Sequence, residues 1–228
     1  MVIEIAIFLP GSLALNRVQN RRTFFSMLEL IPNILTFTRF ILTFIFLGMI
    51  LYSPFAADKP FFLDVAFALF VIAELTDIVD GKIARKLNAA SKLGRMTDPL
   101  ADKVLVCGAF VCFAVIGEPR LFGFSRGILA LIQWSVAGIL ILREAYVTII
   151  RHITEARGLV FPAVATGKIK GVVQAFAIGT VIIKMAHVQT ATWGYWFTTV
   201  TLVLVSAFTV ISGFAATRRS WWKTVTQN

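Results

Sequence analysis

Residues 61–102 read FFLDVAFALFVIAELTDIVDGKIARKLNAASKLGRMTDPLAD. The stretch opens on a mainly apolar run, residues 61–86, of the length a membrane crossing needs, about 20 residues. It then places four aspartates, Asp77, Asp80, Asp98 and Asp102, within 26 residues. Asp77 and Asp80 are three apart and Asp98 and Asp102 four apart, so on helices each pair shares a face. The link from Lys86 to Thr97 is short, which makes the two helices antiparallel neighbours and lets both pairs converge in one cleft at the membrane interface. Carboxylates that close repel one another unless positive charge lies among them. An all-oxygen donor set selects a hard divalent ion, Mg2+ or Mn2+, over zinc or copper. Two such ions roughly 3.5–4 Å apart are the usual arrangement for displacement at phosphorus. Any one of the four has a bland reading; Asp98 before Pro99 has the form of a helix N-cap. Four together, in a chain with only 12 acidic residues, mark a functional site, because acids inside a membrane are costly.

The rest of the chain agrees with a bilayer setting. Of 228 residues, 58% are hydrophobic and 15% charged, and Phe alone takes 21 positions. Soluble domains run nearer about 45–50% apolar and about 25% charged. A compact globule of this size lacks the interior to hide that much hydrocarbon, which excludes a disordered chain and argues against a water-soluble enzyme. Six apolar segments are expected to cross the membrane: 31–52, 61–86, 99–117, 127–151, 168–188 and 194–215. Ser53-Pro54, Gly117-Glu118-Pro119, Gly158 to Pro162 and Val188 to Gly194 punctuate them. The expected fold is all-α, a polytopic bundle of six transmembrane helices formed by residues 27–228. Residues 1–26 form an N-terminal arm, either interfacial or upstream of a translation start at Met27. Arg17, Arg21 and Arg22 follow its apolar stretch, the reverse of a signal peptide's order.

The net charge of +10 is no sign of nucleic acid, since no RNA- or DNA-binding motif accompanies it. With the N-terminus inside, only Lys59, Arg120, Arg126 and Lys184 of the 22 basic residues fall on the outer side. That bias puts both termini and the aspartate cleft in the cytoplasm. Cys107 and Cys112 share one apolar run and are read as small packing residues without a disulfide. His152 and His187 lie near span ends and are read as interfacial.

The pattern Asp77-x2-Asp80-Gly81-x2-Ala84-Arg85-x8-Gly94-x3-Asp98-x3-Asp102 resembles, at every fixed position, the signature of the CDP-alcohol phosphatidyltransferase family. The resemblance implies that Asp77, Asp80, Asp98 and Asp102 hold two divalent ions and that Asp102 is also the base that deprotonates the acceptor hydroxyl. It implies a CDP group bound by Asp77, Gly81, Ala84, Arg85 and Gly94, a homodimer, and a place in the bacterial inner membrane. Physical chemistry supports these roles. Gly81 and Ala84 carry no side chain that would block a nucleotide lying along the helix, and the planar fork of Arg85 suits phosphate.

Further motifs bear on the acceptor. Pro32-Asn33-x2-Thr36-x2-Arg39 opens the first span, Arg143-Glu144 with Arg151 closes the fourth, and Gly167-Lys168-x-Lys170 with Gln174 opens the fifth. Together they resemble the branch of the family that joins CDP-diacylglycerol to glycerol 3-phosphate. The residues themselves agree: an anionic acceptor needs cations, and Arg39, Arg143, Arg151, Lys168 and Lys170 are the candidates for its phosphate. Arg143 and Arg151 are eight apart, on nearly the same side of one helix. Interfacial basics also snorkel to lipid headgroups, the preferred reading for Arg157, Arg218 and Arg219. Glu144 is expected to pair with a neighbouring basic residue. Inositol phosphate, serine or phosphatidylglycerol remain open as acceptors. A cation transporter would leave Gly81, Ala84, Arg85 and Gly94 unexplained, and no inverted repeat is evident.

Overall fold

The computed structural model describes residues 37–87, 92–156 and 165–225, with the side chains of 77–99, 155, 165–168 and 218–225 left aside. Among these residues every regular element is helical. They are α1 (37–52), which runs into a 3-10 turn at Ser53–Phe55, α2 (Lys59–Leu87), α3 (Lys92–Ile116), α4 (Arg126–Ala156), α5 (Ala165–Ala186) and α6 (Thr192–Val225). The six helices fall on the six expected apolar segments. Among the described residues four stretches are long and apolar enough to cross a membrane: Phe37–Phe55, Arg126–Thr154, Ile169–Ala186 and Thr192–Thr217.

The punctuation acts as expected at two joints. Pro54 occupies the first turn of the 3-10 segment. Gly117, at φ 72°, ends α3: its N–H donates to Ala114 O at 3.3 Å and that of Glu118 to Phe113 O at 3.0 Å, the paired bonds of a Schellman stop. The start of α3 differs from expectation. It lies at Lys92, so Asp98 and Pro99 sit inside the helix and Asp98 is no N-cap. An interior proline gives up one backbone bond, a loss that helices tolerate where neighbours cover the freed groups.

α2 packs on α5, α3 on α4 and α5, and α6 on α4 and α5. α1 lies against both α2 and α3: Phe46 meets Phe70 in a tilted ring pair with centroids 5.4 Å apart, and Leu47 covers Gly108. Phe46, Ile50, Leu63, Leu105, Leu140 and Ile178 are fully buried. Phe44, Leu131, Leu142, Val172 and Phe214 are equally apolar but exposed. Helices apolar on every side belong in a bilayer. Several hydroxyls on α6 bond to their own helix, as suits a lipid solvent: Thr209 to Val205 O at 2.6 Å, Thr201 to Phe197 O at 2.8 Å, Ser206 to Leu202 O at 2.8 Å. Cys107 and Cys112 are free thiols on α3.

Charged side chains gather at the two ends. At one end Lys59 pairs with Glu118 at 3.5 Å, and His187 with Asp64 at 2.8 Å. There Lys184 caps α5 through Val188 O at 3.2 Å and Gln189 O at 3.4 Å. Trp193 and Trp196 stand exposed beside them, in the manner of an interfacial belt. The opposite end carries Arg39, Asp102, Arg143 and Lys170.

Gly108 governs how closely α1 approaches α3. A Cβ there would lie 2.7 Å from Leu47 Cδ1, the tip of a flexible side chain. Gly108→Ala is therefore expected to leave the melting temperature of the detergent-solubilised protein near the parental value. Gly108→Leu is expected to lower it by several degrees, since overpacking costs about 1–3 kcal/mol.

Candidate active site

The buried stripe of α3 runs through Ala101, Leu105, Ala109 and Cys112. Asp102 and Lys103 flank that stripe on successive positions, about 100° apart around the helix, so they address different neighbours. Asp102 turns to α1, where Arg39 Nη2 lies 3.7 Å from its Oδ1. Arg39 is buried, while 45% of the Asp102 side chain stays exposed, which leaves this carboxylate reachable by a substrate.

Lys103 turns to α4. Its Nζ donates to Thr148 Oγ1 at 2.6 Å, and Thr148 in turn donates to the carbonyl of Glu144, one turn earlier. The buried Glu144 carboxylate accepts from Arg143 Nη1 at 2.8 Å and from Lys170 Nζ of α5. Arg143 Nε donates to Ser212 Oγ of α6 at 3.1 Å, and Ser212 donates to Thr209 O at 2.9 Å. One polar layer thus joins α3, α4, α5 and α6. Lys103 is in electrostatic contact with Asp102, Glu144, Arg151 and Lys170, so the Asp102 side and the Glu144 side form a single charged region. Among the described side chains this region sets Arg39, Lys103, Arg143, Arg151 and Lys170 against two carboxylates, Asp102 and Glu144. Arg143 and Lys170, converging from α4 and α5, suit an anionic ligand.

Of the residues singled out by sequence, Asp102, Arg39, Arg143 and Lys170 are brought to this end together. Arg39 faces Asp102. Arg151 is exposed, two turns beyond Arg143 on α4. Glu144 pairs with a basic neighbour as expected, and with Lys170 as well. Asp77, Asp80, Gly81, Ala84 and Arg85 lie on the last turns of α2, Gly94 and Asp98 on the first turns of α3, and Lys168 on the first turn of α5. The side chains of these eight, and with them the convergence of the two aspartate pairs, lie outside the described residues. Among the described residues no three His, Cys, Asp or Glu side chains cluster. The four aspartates are nonetheless an oxygen-only donor set, and the half-exposed Asp102 carboxylate fits a hard divalent ion. Lys103, Thr148 and Ser212 were not singled out by sequence. A lysine beside Asp102 inside an apolar helix was the available signal for the first; nothing local marks the other two.

The sequence profile described as CDP-alcohol phosphatidyltransferase matches residues 29–224. The chain belongs to the CDP-alcohol phosphatidyltransferase family. It is 32% identical over 160 residues to a Bacillus subtilis (strain 168) protein named CDP-diacylglycerol–glycerol-3-phosphate 3-phosphatidyltransferase, covering 70% of this chain and 75% of that one. It is 31% identical over 156 residues to a Mycobacterium tuberculosis (strain ATCC 25618 / H37Rv) protein named "Probable phosphatidylglycerophosphate synthase", covering 68% of this chain and 67% of that one. A Rickettsia bellii (strain RML369-C) protein with the same name as the Bacillus one is 34% identical over 120 residues, covering 47% of this chain and 64% of its own length. The family expected from Asp77 to Asp102 alone is the one matched along most of the chain.

Proposed function

We propose that this chain transfers the phosphatidyl group of CDP-diacylglycerol to the sn-1 hydroxyl of glycerol 3-phosphate, giving phosphatidylglycerophosphate and CMP in phospholipid biosynthesis. Family membership supplies the donor class, and the names of the Bacillus and Rickettsia relatives state this reaction. The observation that carries the acceptor is the polar layer in which Arg143 of α4 and Lys170 of α5 converge on Glu144, joined through Thr148 and Lys103 to the Asp102 side.

Asp102 takes the proton of the acceptor hydroxyl as that oxygen attacks the phosphorus bearing diacylglycerol; the bond from that phosphorus to CMP breaks, and CMP leaves with the electron pair. Arg39 holds the direction of the Asp102 carboxylate from behind. Arg143, Arg151, Lys168 and Lys170 receive the acceptor's phosphate. Asp77 and Arg85 hold the CDP group, and Gly81, Ala84 and Gly94 let it approach the helices closely. Members of the family generally depend on divalent metal. Asp77, Asp80, Asp98 and Asp102 would hold two Mg2+ or Mn2+ ions, which supply neutralisation of the pyrophosphate and polarisation of the hydroxyl.

The apolar helices fit an integral membrane protein. In this reading all six helices of residues 27–228 cross a bacterial inner membrane, with both termini and the active site at the cytoplasmic face. Residues 1–26 form an arm, and the protein works as a homodimer. The separation of the Lys59, His187 and Lys184 end from the Arg39, Asp102 and Arg143 end supports helices that run between two polar interfaces, and the distribution of Lys and Arg along the chain supports the orientation.

The test is incubation of the purified full chain with CDP-diacylglycerol, Mg2+ and a panel of labelled alcohols, with CMP release and lipid product read together. Glycerol 3-phosphate is expected to be the preferred acceptor. Preference for serine, inositol or plain glycerol would remove the acceptor assignment and leave the family intact. Arg143→Ala is expected to raise the acceptor KM about ten- to hundredfold, the loss of one charge-assisted contact. The donor KM is expected to change little. Parental acceptor kinetics in this variant would place the phosphate elsewhere.

A further inference from the structure

We propose that Glu144 is the positioning residue of the acceptor pocket: its carboxylate binds Arg143 of α4 and Lys170 of α5 into one anion-binding pair. The proposal rests on the reading above, in which these cations receive the acceptor's phosphate.

Glu144 is buried in the bundle, where a carboxylate is tolerated only with partners. Both partners bond the same oxygen, Oε1: Arg143 through Nη1 at 2.8 Å and Lys170 through Nζ. Two cations are thereby held on one atom, closer than their mutual repulsion in a weakly polar interior would allow alone. The guanidinium is fixed twice, through Glu144 and through Nε to Ser212 at 3.1 Å. The Glu144 backbone is tied through Thr148 to Lys103, the neighbour of Asp102. The hydrogen bonds of Arg143 among the described residues use Nη1 and Nε, and that of Lys170 uses one N–H, so donors remain for a further anion. Glu144 cancels one of the two charges, and the pair keeps one in excess. Without it Lys170, a point charge on a flexible stem, has no reason to stay beside Arg143. A phosphate monoester arriving from solution would have to gather the two cations itself and would bind more weakly for that reason.

Glu144→Gln tests this, since it keeps shape and an acceptor oxygen while removing the charge. Acceptor KM, donor KM, kcat and melting temperature are compared for the parent, Glu144→Gln, Glu144→Asp, Arg143→Ala and Lys170→Met in the full-length protein. Glu144→Gln is expected to raise the KM for glycerol 3-phosphate about tenfold and to weaken competitive inhibition by inorganic phosphate equally, with the donor KM parental. Glu144→Asp, with its carboxylate drawn back, is expected to fall between the parent and Glu144→Gln. Lys170→Met is expected to cost less in the Glu144→Gln background than in the parent, because the two act as a unit. If Arg143→Ala raises the acceptor KM and Glu144→Gln does not, the positioning role is overturned and the acceptor reading stands. If none of the variants moves the acceptor KM, the acceptor reading fails and takes the proposal with it. If Glu144→Gln lowers the melting temperature and weakens donor and acceptor alike, Glu144 only braces α4 against α5 and the proposal is overturned. Should Glu144→Gln not fold, Glu144→Asp decides: a severalfold rise in acceptor KM supports the proposal, and a parental value overturns it.

Discussion

Asp102→Asn protein is expected to lose turnover by about a thousandfold or more while still binding CDP-diacylglycerol. A positioned general base contributes roughly 10²–10⁴ to a rate, and asparagine of the same shape has no basic oxygen to offer. The side chain is 45% exposed, so the change disturbs little packing. Among the described residues its salt-bridge partner is Arg39, 3.7 Å away and buried. The asparagine oxygen can still face that guanidinium, which limits the loss of stability. Some weakening of donor binding is allowed, because the same carboxylate is assigned to a metal ion. The two readouts are CMP release with glycerol 3-phosphate and equilibrium binding of labelled CDP-diacylglycerol. Near-parental CMP release from this variant would end the assignment of Asp102 as the base.

The membrane character of the fold was legible because interior and exterior are made of the same residues: Leu140 is buried and Leu142 exposed on one helix, and Phe44, Leu131, Val172 and Phe214 repeat the exposure along the bundle, more apolar surface than water accepts. Helix ends were legible where backbone chemistry is local, at Pro54 and at Gly117 with its positive φ. The start of α3 was misread because Asp98-Pro99 satisfies the local rules for a cap, while the helix in fact continues back to Lys92. In the site, residue types were legible and partners were not. Arg39 reads as one more cation near the inner face. Its turn toward Asp102 depends on how α1 seats on α3 at Leu47 and Gly108, a tertiary fact. Lys103 reads in the sequence as one more basic residue, yet one residue step around α3 carries it away from Arg39 and onto Thr148 of α4. The pairing of Glu144 with an adjacent arginine follows from sequence. Its sharing with Lys170, 26 positions away, needs α4 and α5 to pack first.

Exhaustive chelation is expected to bring turnover to background, and Mg2+ or Mn2+ to restore it. The argument is one of charge. In the proposed reading the pyrophosphate of the donor, with its two negative charges, enters beside Asp77, Asp80, Asp98 and Asp102. Arg85 supplies one positive charge there, and Arg143 and Lys170 are assigned to Glu144 and the acceptor's phosphate. Without divalent cations the donor and the four carboxylates repel, and the leaving CMP has no cation to take up its developing charge. Chelation should therefore abolish donor binding as well as turnover, a loss larger than any single cation in the acceptor pocket can cause. Asp77→Asn and Asp98→Asn are expected to lose metal content and activity together, with Mn2+ binding followed by paramagnetic resonance as a readout independent of catalysis. A variant that loses activity but binds Mn2+ with parental stoichiometry and affinity would remove that aspartate from the metal site. Full turnover after chelation would remove the metal site altogether, and the four aspartates would then need protons in place of ions to coexist in one cleft.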